Sequence, residues 1–412
     1  MPIKFADLYK RIQSEFFSRG WLLPTLLPAS QIGGRALFNI LDYSYALWGF
    51  ISCKKHSIGA DRGFFIGYFL ILVVFFLSII GAQEVLISIK VFLQFILQSS
   101  VGVLTLISLR QNRENLDILR YALGFGGLLM LFFQYISLLY YLQQDIFDPQ
   151  QLREGNLPFL LPFILAWVVD KQRLRHWRKM VFIGITLLIF AYILASQTRS
   201  SLLAAISSLS GFGILIGRWP WRRTMLLLSV MILFATVLIV GPLSKISLSG
   251  AQFLDLHAIS SGRTLLWEQA LKHPPEQLWL GVGIGNEFLA SQVLTFKLQG
   301  QQHHVKHFHN ILLDTWYETG LLGLSTLVFF IGYVLVRTLW NWYIFDPRER
   351  ETCGLFMIAL IAIFIGSMLD FNHTSRYFSC YFFLCLGTIH YIATYAKYRS
   401  LKYSTAPDKQ AG

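Results

Sequence analysis

The chain has 412 residues, of which 55% are hydrophobic, 16% aromatic and only 14% charged. That composition is too apolar for a soluble domain of this size and is typical of a polytopic membrane protein. The formal net charge of +13 would suit nucleic acid, but the basic residues form short clusters between apolar runs, which is the pattern that orients helices in a bilayer. We therefore expect membrane lipids around the chain and no nucleic-acid partner.

The apolar runs predict an all-α fold. A membrane helix needs about 20 apolar residues, and fewer where the helix is shielded by protein. On that basis the sequence predicts about twelve membrane helices, of which the first is interrupted by Pro24 and Pro28. The pattern stops after the ninth helix and resumes at residue 319. The predicted segments are 16–31, 35–52, 64–81, 85–109, 119–142, 157–170, 180–197, 200–217, 224–242, 319–340, 354–370 and 377–396.

The basic residues predict how these helices are oriented. Lys and Arg are retained on the cytoplasmic side of short loops, and placing the N-terminus inside puts the main basic clusters on one face. Both termini are then cytoplasmic. We expect N-terminal membrane helices in 1–242, a large outer loop with short helices and the active site in 243–318, and C-terminal membrane helices with a cytoplasmic tail in 319–412. The clusters are Lys54, Lys55 and Arg62; Arg110, Arg113 and Arg120; Lys171, Arg173, Arg175, Arg178 and Lys179; Arg218, Arg222 and Arg223; Arg337, Arg348 and Arg350; and Lys397, Arg399 and Lys402.

Two arginines fall on the wrong side for this topology. Arg199 stands in a short polar turn, where it either has an anionic partner or extends to lipid headgroups. Arg263 follows two serines and precedes Pro274 and Pro275, a pattern that predicts a serine-capped helix of about ten residues with Arg263 in its first turn. An anion there would be held by free backbone N–H groups and the guanidinium together. The pair suggests a phosphate or diphosphate ligand.

The glycine-rich stretch 281–286 admits two interpretations. Its backbone amides would suit an anion-binding nest. No strand-turn-helix unit surrounds it, however, so a dinucleotide fingerprint is not indicated and a tight turn is favoured.

Four of the ten histidines lie within seven residues: His303, His304, His307 and His309. One interpretation is a metal site, although no Cys accompanies them and the spacing is not that of a zinc hydrolase. A second is that they tolerate a water–membrane boundary. A third is a catalytic base, for which His309 is best placed. It precedes Asn310, a good N-cap, and the positive end of a helix favours the neutral, proton-accepting imidazole.

Two carboxylates follow the histidines on the same predicted helix. Asp314 and Glu318 are four residues apart and therefore share one face. Either carboxylate would orient the imidazole or take its role, or the two simply form a solvated face. His307, Asn310, Asp314 and Glu318 are the secondary site candidates.

Three ordered stretches carry a family resemblance: SQTRSS after a membrane helix, then SGRTLLWEQALKHPPEQLWLGVGIGNEF, then HFHNILLDTWYETGLLGL. Together they resemble the O-antigen ligase and O-antigen polymerase superfamily of bacterial membrane glycosyltransferases. The first half of the chain matches only as a set of membrane helices. The resemblance implies a C-type glycosyltransferase-like architecture in the inner membrane, with the large loop and its active site in the periplasm.

The resemblance also implies a reaction. Arg199 and Arg263 would bind the diphosphate of an undecaprenyl-diphosphate-linked glycan donor, and His309, with His307 as the other histidine of the H-x-H-N pattern, would activate the acceptor hydroxyl. Neither a metal nor another cofactor is implied. Chain length favours the ligase, whose acceptor is lipid A core. The alternatives are a repeat-unit polymerase, a protein O-oligosaccharyltransferase and, from a different class, a non-enzymatic lipid-glycan transporter.

Overall fold

A computed structural model describes residues 34–52, 61–143, 157–169, 175–196, 198–216, 262–287, 294–298, 301–369 and 376–404. Within these ranges the chain forms eleven α-helices and one antiparallel β-hairpin. The elements are α1 (Gly34–Ser52), α2 (Arg62–Ser78), α3 (Val85–Gln111), α4 (Asn115–Gln143), α5 (Leu157–Val169), α6 (Arg175–Ser196), α7 (Arg199–Leu215), α8 (Arg263–Lys272), β1 (Thr295–Leu298), β2 (Gln301–His304), α9 (Ile311–Asn341), α10 (Pro347–Ser367) and α11 (Arg376–Ser404).

Six of the described helices are long and apolar enough to cross a membrane: α2 with the 3-10 turn after it, α3, α4, α9, α10 and α11. Three shorter apolar helices, α5, α6 and α7, accompany them. The chain is thus an all-α, multi-pass membrane protein. Ten predicted segments coincide with described helices, and the other two, 16–31 and 224–242, lie outside the described residues. The hairpin was not predicted.

Helix α11 is the centre of the bundle and packs along α3. The two backbones approach where Gly102 faces Gly387, and a Cβ on either glycine would overlap the backbone of the other helix. Small residues permit this close approach, which in a membrane takes the place of the hydrophobic driving force between helices. The α3–α11 contact therefore depends on these two glycines.

Glycine contacts also fix the direction of the outer helices. Gly211 of α7 meets Ile358 of α10, whereas Gly354 of α10 meets Leu215 and Ile216 near the end of α7. Helices α7 and α10 are therefore antiparallel. Because a short turn joins α9 to α10, the start of α7 lies at the same end of the bundle as the start of α9. We call this end, which carries His309, the histidine end.

The opposite end, where α9 turns into α10, is held by ion pairs between distant helices. Asp117 of α4 receives two hydrogen bonds from Arg348, of 3.2 and 2.6 Å. Arg399 of α11 bonds both Asp346 and Glu349. We call this end the basic end. The predicted clusters that include Arg348 and Arg399 meet there, as the topology requires, while the side of the membrane that it faces stays a prediction.

A buried polar network lies just inside the basic end. Asp61, which precedes α2, accepts hydrogen bonds of 2.9 and 2.7 Å from Arg110 of α3, and its Oδ1 lies 3.2 Å from His390 Nε2 of α11. Burial alone would raise the pKa of Asp61, but hydrogen bonds from His390 and Arg110 and the charge of Arg110 lower it to about 2. The network thus joins three membrane helices through an ionised carboxylate.

Candidate functional site

The site begins at a break in α9. Gly320 has φ 67° and ψ −173°, so two helical hydrogen bonds, from Leu321 and Leu322 to the carbonyls of Tyr317 and Glu318, are not made. Four bonds to the loop 278–286 replace them. The carbonyls of Leu278 and Trp279 accept from the amides of Leu321 and Leu322, at 2.9 and 3.3 Å. The amides of Val282 and Gly283 donate to the carbonyls of Tyr317 and Glu318, at 2.8 and 3.0 Å.

This exchange decides between the two interpretations of the glycine-rich stretch. Gly281, Gly283 and Gly285 all have positive φ, between 70° and 96°, a conformation that glycine adopts without steric cost. The stretch is therefore a turn, as favoured. The amides of Val282 and Gly283 are used by α9, so they are not available to an anion and the nest interpretation is wrong for them.

The α2–α3 junction supports the loop from its other side. Ser88 Oγ donates to the Ile284 carbonyl at 2.7 Å, and the Ile284 amide donates to Ser78 Oγ at 3.3 Å. A Cβ on Gly283 would overlap Ala82, and one on Gly285 would lie 2.6 Å from Val91. The first turns of α9 are thereby held against α2 and α3, which positions everything that precedes them.

His309 stands at the start of α9 in a strained conformation. Its φ is 53°, and it is the one non-glycine residue with positive φ among the described residues. The left-handed region is sparsely populated by residues with a Cβ, and strain of this kind concentrates at functional sites. The His309 amide donates to Nδ1 of His307 at 3.2 Å, and the two imidazole rings are 4.0 Å apart. The two histidines of the H-x-H-N pattern therefore act as one unit.

Hydrogen bonds on both sides of His309 hold this conformation. Asn310 caps α9, since its side chain accepts from the amides of Leu312 and Leu313 at 3.0 and 3.3 Å, which confirms the predicted N-cap. On the other side, Asp314 Oδ1 accepts from the Phe308 amide at 2.7 Å. The left-handed residue lies between these two anchors, so the helix start itself sets the direction of His309.

Asp314 and Glu318 are both fully buried, so the interpretation of a solvated face is wrong. The loop 278–286, which is bonded to α9 at the break at Gly320, covers this face of the helix. The polar sequence of the face does not show that it is covered. Asp314 meets the backbone beside His309 rather than solvent, which argues for a positioning role over a direct one.

Glu287 is a third acidic residue of the site, and sequence reasoning missed it. It is buried directly after the glycine turn, and it interacts with both Asp314 and Glu318. The only signal in the sequence is a carboxylate at the end of the quoted glycine motif. Three acidic side chains are thus gathered behind residues 305–310, which contain His307 and His309 and which we call the histidine loop.

Arg263 is the first residue of α8, which runs for ten residues as predicted. Its N-cap is Gly262 with φ 80°, not a serine, because a left-handed turn into the helix suits a residue with no Cβ. One turn further along the same face, Trp267 Nε1 donates to the Phe308 carbonyl at 2.9 Å. Arg263 therefore lies about 6 Å along the helix axis from the residue that contacts the neighbour of His309.

A small apolar cluster fixes α8 in this position. Phe308 contacts Tyr317 with ring centroids 4.3 Å apart and the rings tilted by 44°, and Leu266 and Ala270 of α8 belong to the same buried cluster. The Tyr317 hydroxyl donates to the Ala270 carbonyl at 3.0 Å. The helix that begins with Arg263 and the loop that holds His309 therefore share one core.

Arg199 is the first residue of α7, immediately after the extended Thr198. The antiparallel contact of α7 with α10 puts this helix start at the histidine end. The starts of α7 and α8, at Arg199 and Arg263, therefore lie in the same part of the molecule as the histidine loop. In the sequence, by contrast, Arg199 and His309 are 110 residues apart (309 minus 199).

His303 and His304 belong to the hairpin rather than to this loop. His303 pairs with Phe296 across the strands, and His304 Nδ1 lies 2.9 Å from the Thr295 hydroxyl. Within the described residues, no group of three or more His, Cys, Asp or Glu side chains is arranged to hold a metal ion. The four histidines are therefore divided between two structures.

The fold and the site together define an all-helical, multi-pass membrane protein with arginine, histidine and buried carboxylates at one end. Comparison with known families then identifies the relationship. Residues 184–328, which run from α6 into α9, match the family model described as O-antigen ligase. The match confirms the resemblance of this part of the chain to the O-antigen ligase and polymerase superfamily. No curated protein matches the chain.

Proposed function

We propose that the protein is an O-antigen ligase of the bacterial inner membrane, with its site facing the periplasm. It transfers a polysaccharide from undecaprenyl diphosphate onto lipid A core, in lipopolysaccharide biosynthesis. The family match supports the general class of glycosyl transfer from a lipid-linked glycan. The observation that carries the proposal is the strained His309, held by Asp314 and Asn310 beside the helix that begins with Arg263.

The leaving group in this reaction is the lipid diphosphate. As the glycosidic bond breaks, negative charge develops on the phosphate oxygen that carried the sugar, and positioned cations lower the barrier by stabilising that charge. Arg199 and Arg263 are assigned this role. Each begins a helix, so the partial positive charge of the helix terminus adds to that of the guanidinium.

The acceptor hydroxyl requires a base. His309 takes the proton of that hydroxyl while the hydroxyl oxygen attacks the anomeric carbon. The diphosphate leaves from the opposite face of the sugar, so the configuration at that carbon is inverted. Imidazole is suited to this step because it titrates near neutral pH. The proton, the glycosyl group and the leaving group are all accounted for without a metal, a nucleotide sugar or another cofactor.

The polysaccharide of a deletion strain tests this function. A ligase defect leaves bare lipid A core and accumulates undecaprenyl-linked polymer, both visible after electrophoresis of lipopolysaccharide and extraction of lipid-linked glycans. Complementation with the intact gene restores capped core, and complementation with the His309→Gly variant does not. Core capped by a single repeat unit would instead identify a polymerase. Normal lipopolysaccharide with an underglycosylated protein would point to a protein O-oligosaccharyltransferase, and loss of lipid-linked glycan from the periplasmic side would point to a transporter.

A further inference from the structure

Glu287 is a buried carboxyl group that the proposed reaction does not use. It is 6% exposed and directly follows the loop 278–286, whose backbone bonds to α9 at the break at Gly320. Its side chain is hydrogen-bonded to those of Asp314 and Glu318, which lie one turn apart on α9. Glu287 therefore connects the loop with the two acidic residues at the start of the helix.

The two carboxyl oxygens of Asp314 have different surroundings. Oδ1 accepts from the Phe308 amide at 2.7 Å, and that bond fixes the backbone next to His309. Oδ2 is buried, and within the part of the chain that the structure describes no amide, hydroxyl or other ordinary donor group reaches it. A buried oxygen without a hydrogen bond is costly. The contact with the carboxyl group of Glu287 is the one that satisfies it.

Contacts between carboxyl groups determine how many protons these side chains hold. An ionised carboxylate only accepts hydrogen bonds, whereas a protonated carboxyl group has a single O–H donor. Each of the two contacts, between Asp314 and Glu287 and between Glu287 and Glu318, therefore contains one proton. Full ionisation would also place three like charges together in a buried site, which is unfavourable. The three groups thus hold two protons and at most one negative charge.

We propose that Glu287 is a positioning residue: the proton that it shares with Asp314 fixes the Asp314 carboxyl group in the orientation that holds the Phe308 amide, and so directs His309. The use of His309 as a base rests on the proposed function, whereas the shared proton does not. Without Glu287, Oδ2 of Asp314 loses its partner and the carboxyl group is free to rotate. The strained conformation of His309 then loses one of the two anchors that hold it.

A purely structural role for Glu287 makes a different prediction. Replacing a buried, hydrogen-bonded acidic group by an apolar side chain of similar size is often neutral for stability, or stabilising. If Glu287 only filled space, such a replacement would leave activity unchanged. If Glu287 orients Asp314, the replacement lowers activity although the fold remains intact.

Glycan transfer by the full-length protein in liposomes separates these roles. Glu287→Met has a side chain of similar length without the hydrogen bond, and we expect transfer to fall by about tenfold or more while the melting temperature in detergent hardly changes. Glu287→Gln keeps a donor for Asp314 and should retain most of the transfer. Glu276→Met is the matched control, because Glu276 lies shortly before the same loop but is exposed, and it should transfer as the unaltered protein does.

Infrared difference spectroscopy detects the shared proton itself and depends neither on transfer nor on folding of the methionine variant. A protonated carboxyl group has a C=O absorption distinct from that of a carboxylate. Part of this absorption should disappear at neutral pH in both Glu287→Gln and Asp314→Asn. Glu276→Gln, at an exposed position, should leave it unchanged. Other buried carboxyl groups, such as that of Asp42, contribute equally to each spectrum and cancel.

Several results would overturn the proposal. Full transfer in Glu287→Met would exclude a positioning role, and so would equal losses in Glu287→Met and Glu287→Gln. An unchanged carboxyl absorption in Glu287→Gln would exclude the shared proton. Failure of the unaltered protein to transfer glycan would instead contradict the proposed ligase function, and the infrared spectra would still decide whether Glu287 and Asp314 share a proton.

Discussion

Asp314 holds the amide of Phe308 through a hydrogen bond of 2.7 Å, six residues back along the chain. The carboxyl group thereby fixes the backbone next to His309 without facing solvent itself. A residue that acts in this way sets the direction of the proposed base, so its effect on activity can be separated from the proton transfer itself.

We expect Asp314→Ala to reduce glycan transfer while the protein still inserts into the membrane. The variant leaves the buried Phe308 amide without an acceptor, which costs about 1–3 kcal/mol. Asp314→Asn keeps an acceptor oxygen and should retain most of the activity. Transfer by purified protein in liposomes measures both, and equal activity in the two variants would exclude the positioning role.

His309→Gly separates catalysis from folding. Glycine accepts φ 53° without strain, so the free energy of unfolding should change by no more than about 1 kcal/mol, whereas transfer should be lost with the imidazole. Thermal unfolding in detergent and the transfer assay together test this. His307→Ala keeps the proposed base and should be less severe; activity surviving in His309→Gly would remove His309 as the base.

Either Arg199→Ala or Arg263→Ala should lower transfer by about 100-fold or more, as expected when a group that stabilises developing charge is removed. Lysine at either position keeps the charge but not the planar fork that binds phosphate in two places, so activity should be intermediate. Lys272→Gln is the control, because Lys272 is on the same helix as Arg263 but exposed and paired with Glu268. A loss of transfer of equal size in Lys272→Gln would show that removing any positive charge from this helix lowers activity, and would contradict a specific role for Arg263.

Gly320→Ala should destabilise the fold. Gly320 combines φ 67° with ψ −173°, a conformation that is essentially restricted to glycine and costs a residue with a Cβ about 1–3 kcal/mol. The Cβ would also overlap the Trp279 carbonyl. Gly332→Ala on the same helix has open space around it and should be neutral, or stabilising by up to about 1 kcal/mol through helix propensity. Melting temperatures in detergent compare the two, and similar values would show that the break is not required.

Asp61→Asn should lower stability by about 3 kcal/mol, because it leaves Arg110 in a buried site without its anion. Since the pKa of Asp61 falls to about 2 in the folded protein, its contribution is fully present near neutral pH. This stabilisation is lost only at acid pH. The loss begins as the pH falls below the ordinary carboxyl pKa of about 3.9 and is complete once the pH is below the folded-state pKa of about 2. Asp117→Asn is the control for an exposed pair with Arg348, where about 0.5 kcal/mol is expected. An equal loss of stability in Asp61→Asn and Asp117→Asn would show that burial does not determine how much each ion pair contributes.

The membrane helices among the described residues were predictable because each is an apolar run whose boundaries depend on local composition. The helix of Arg263 and the cap at Asn310 were predictable for a similar reason, since capping residues and prolines act over a few positions. The break at Gly320 was not, because a glycine inside an apolar run does not show which distant carbonyls and amides will replace the helical bonds. The burial of Asp314, Glu318 and Glu287 could not be predicted for the same reason. It depends on the contact between α9 and the loop 278–286, which lies about thirty residues or more before Asp314 and Glu318 in the chain.

The exchange between α9 and the loop 278–286 has a consequence for where chemistry takes place. A helix that breaks near a bilayer ordinarily exposes carbonyls and amides that lipid cannot satisfy. Here the partners come from the protein's own backbone, so no water has to enter to stabilise the break. Under the proposed function, this arrangement keeps the carbohydrate–diphosphate bond of the donor close to hydrocarbon and away from bulk water, which would otherwise compete with the sugar hydroxyl as the acceptor.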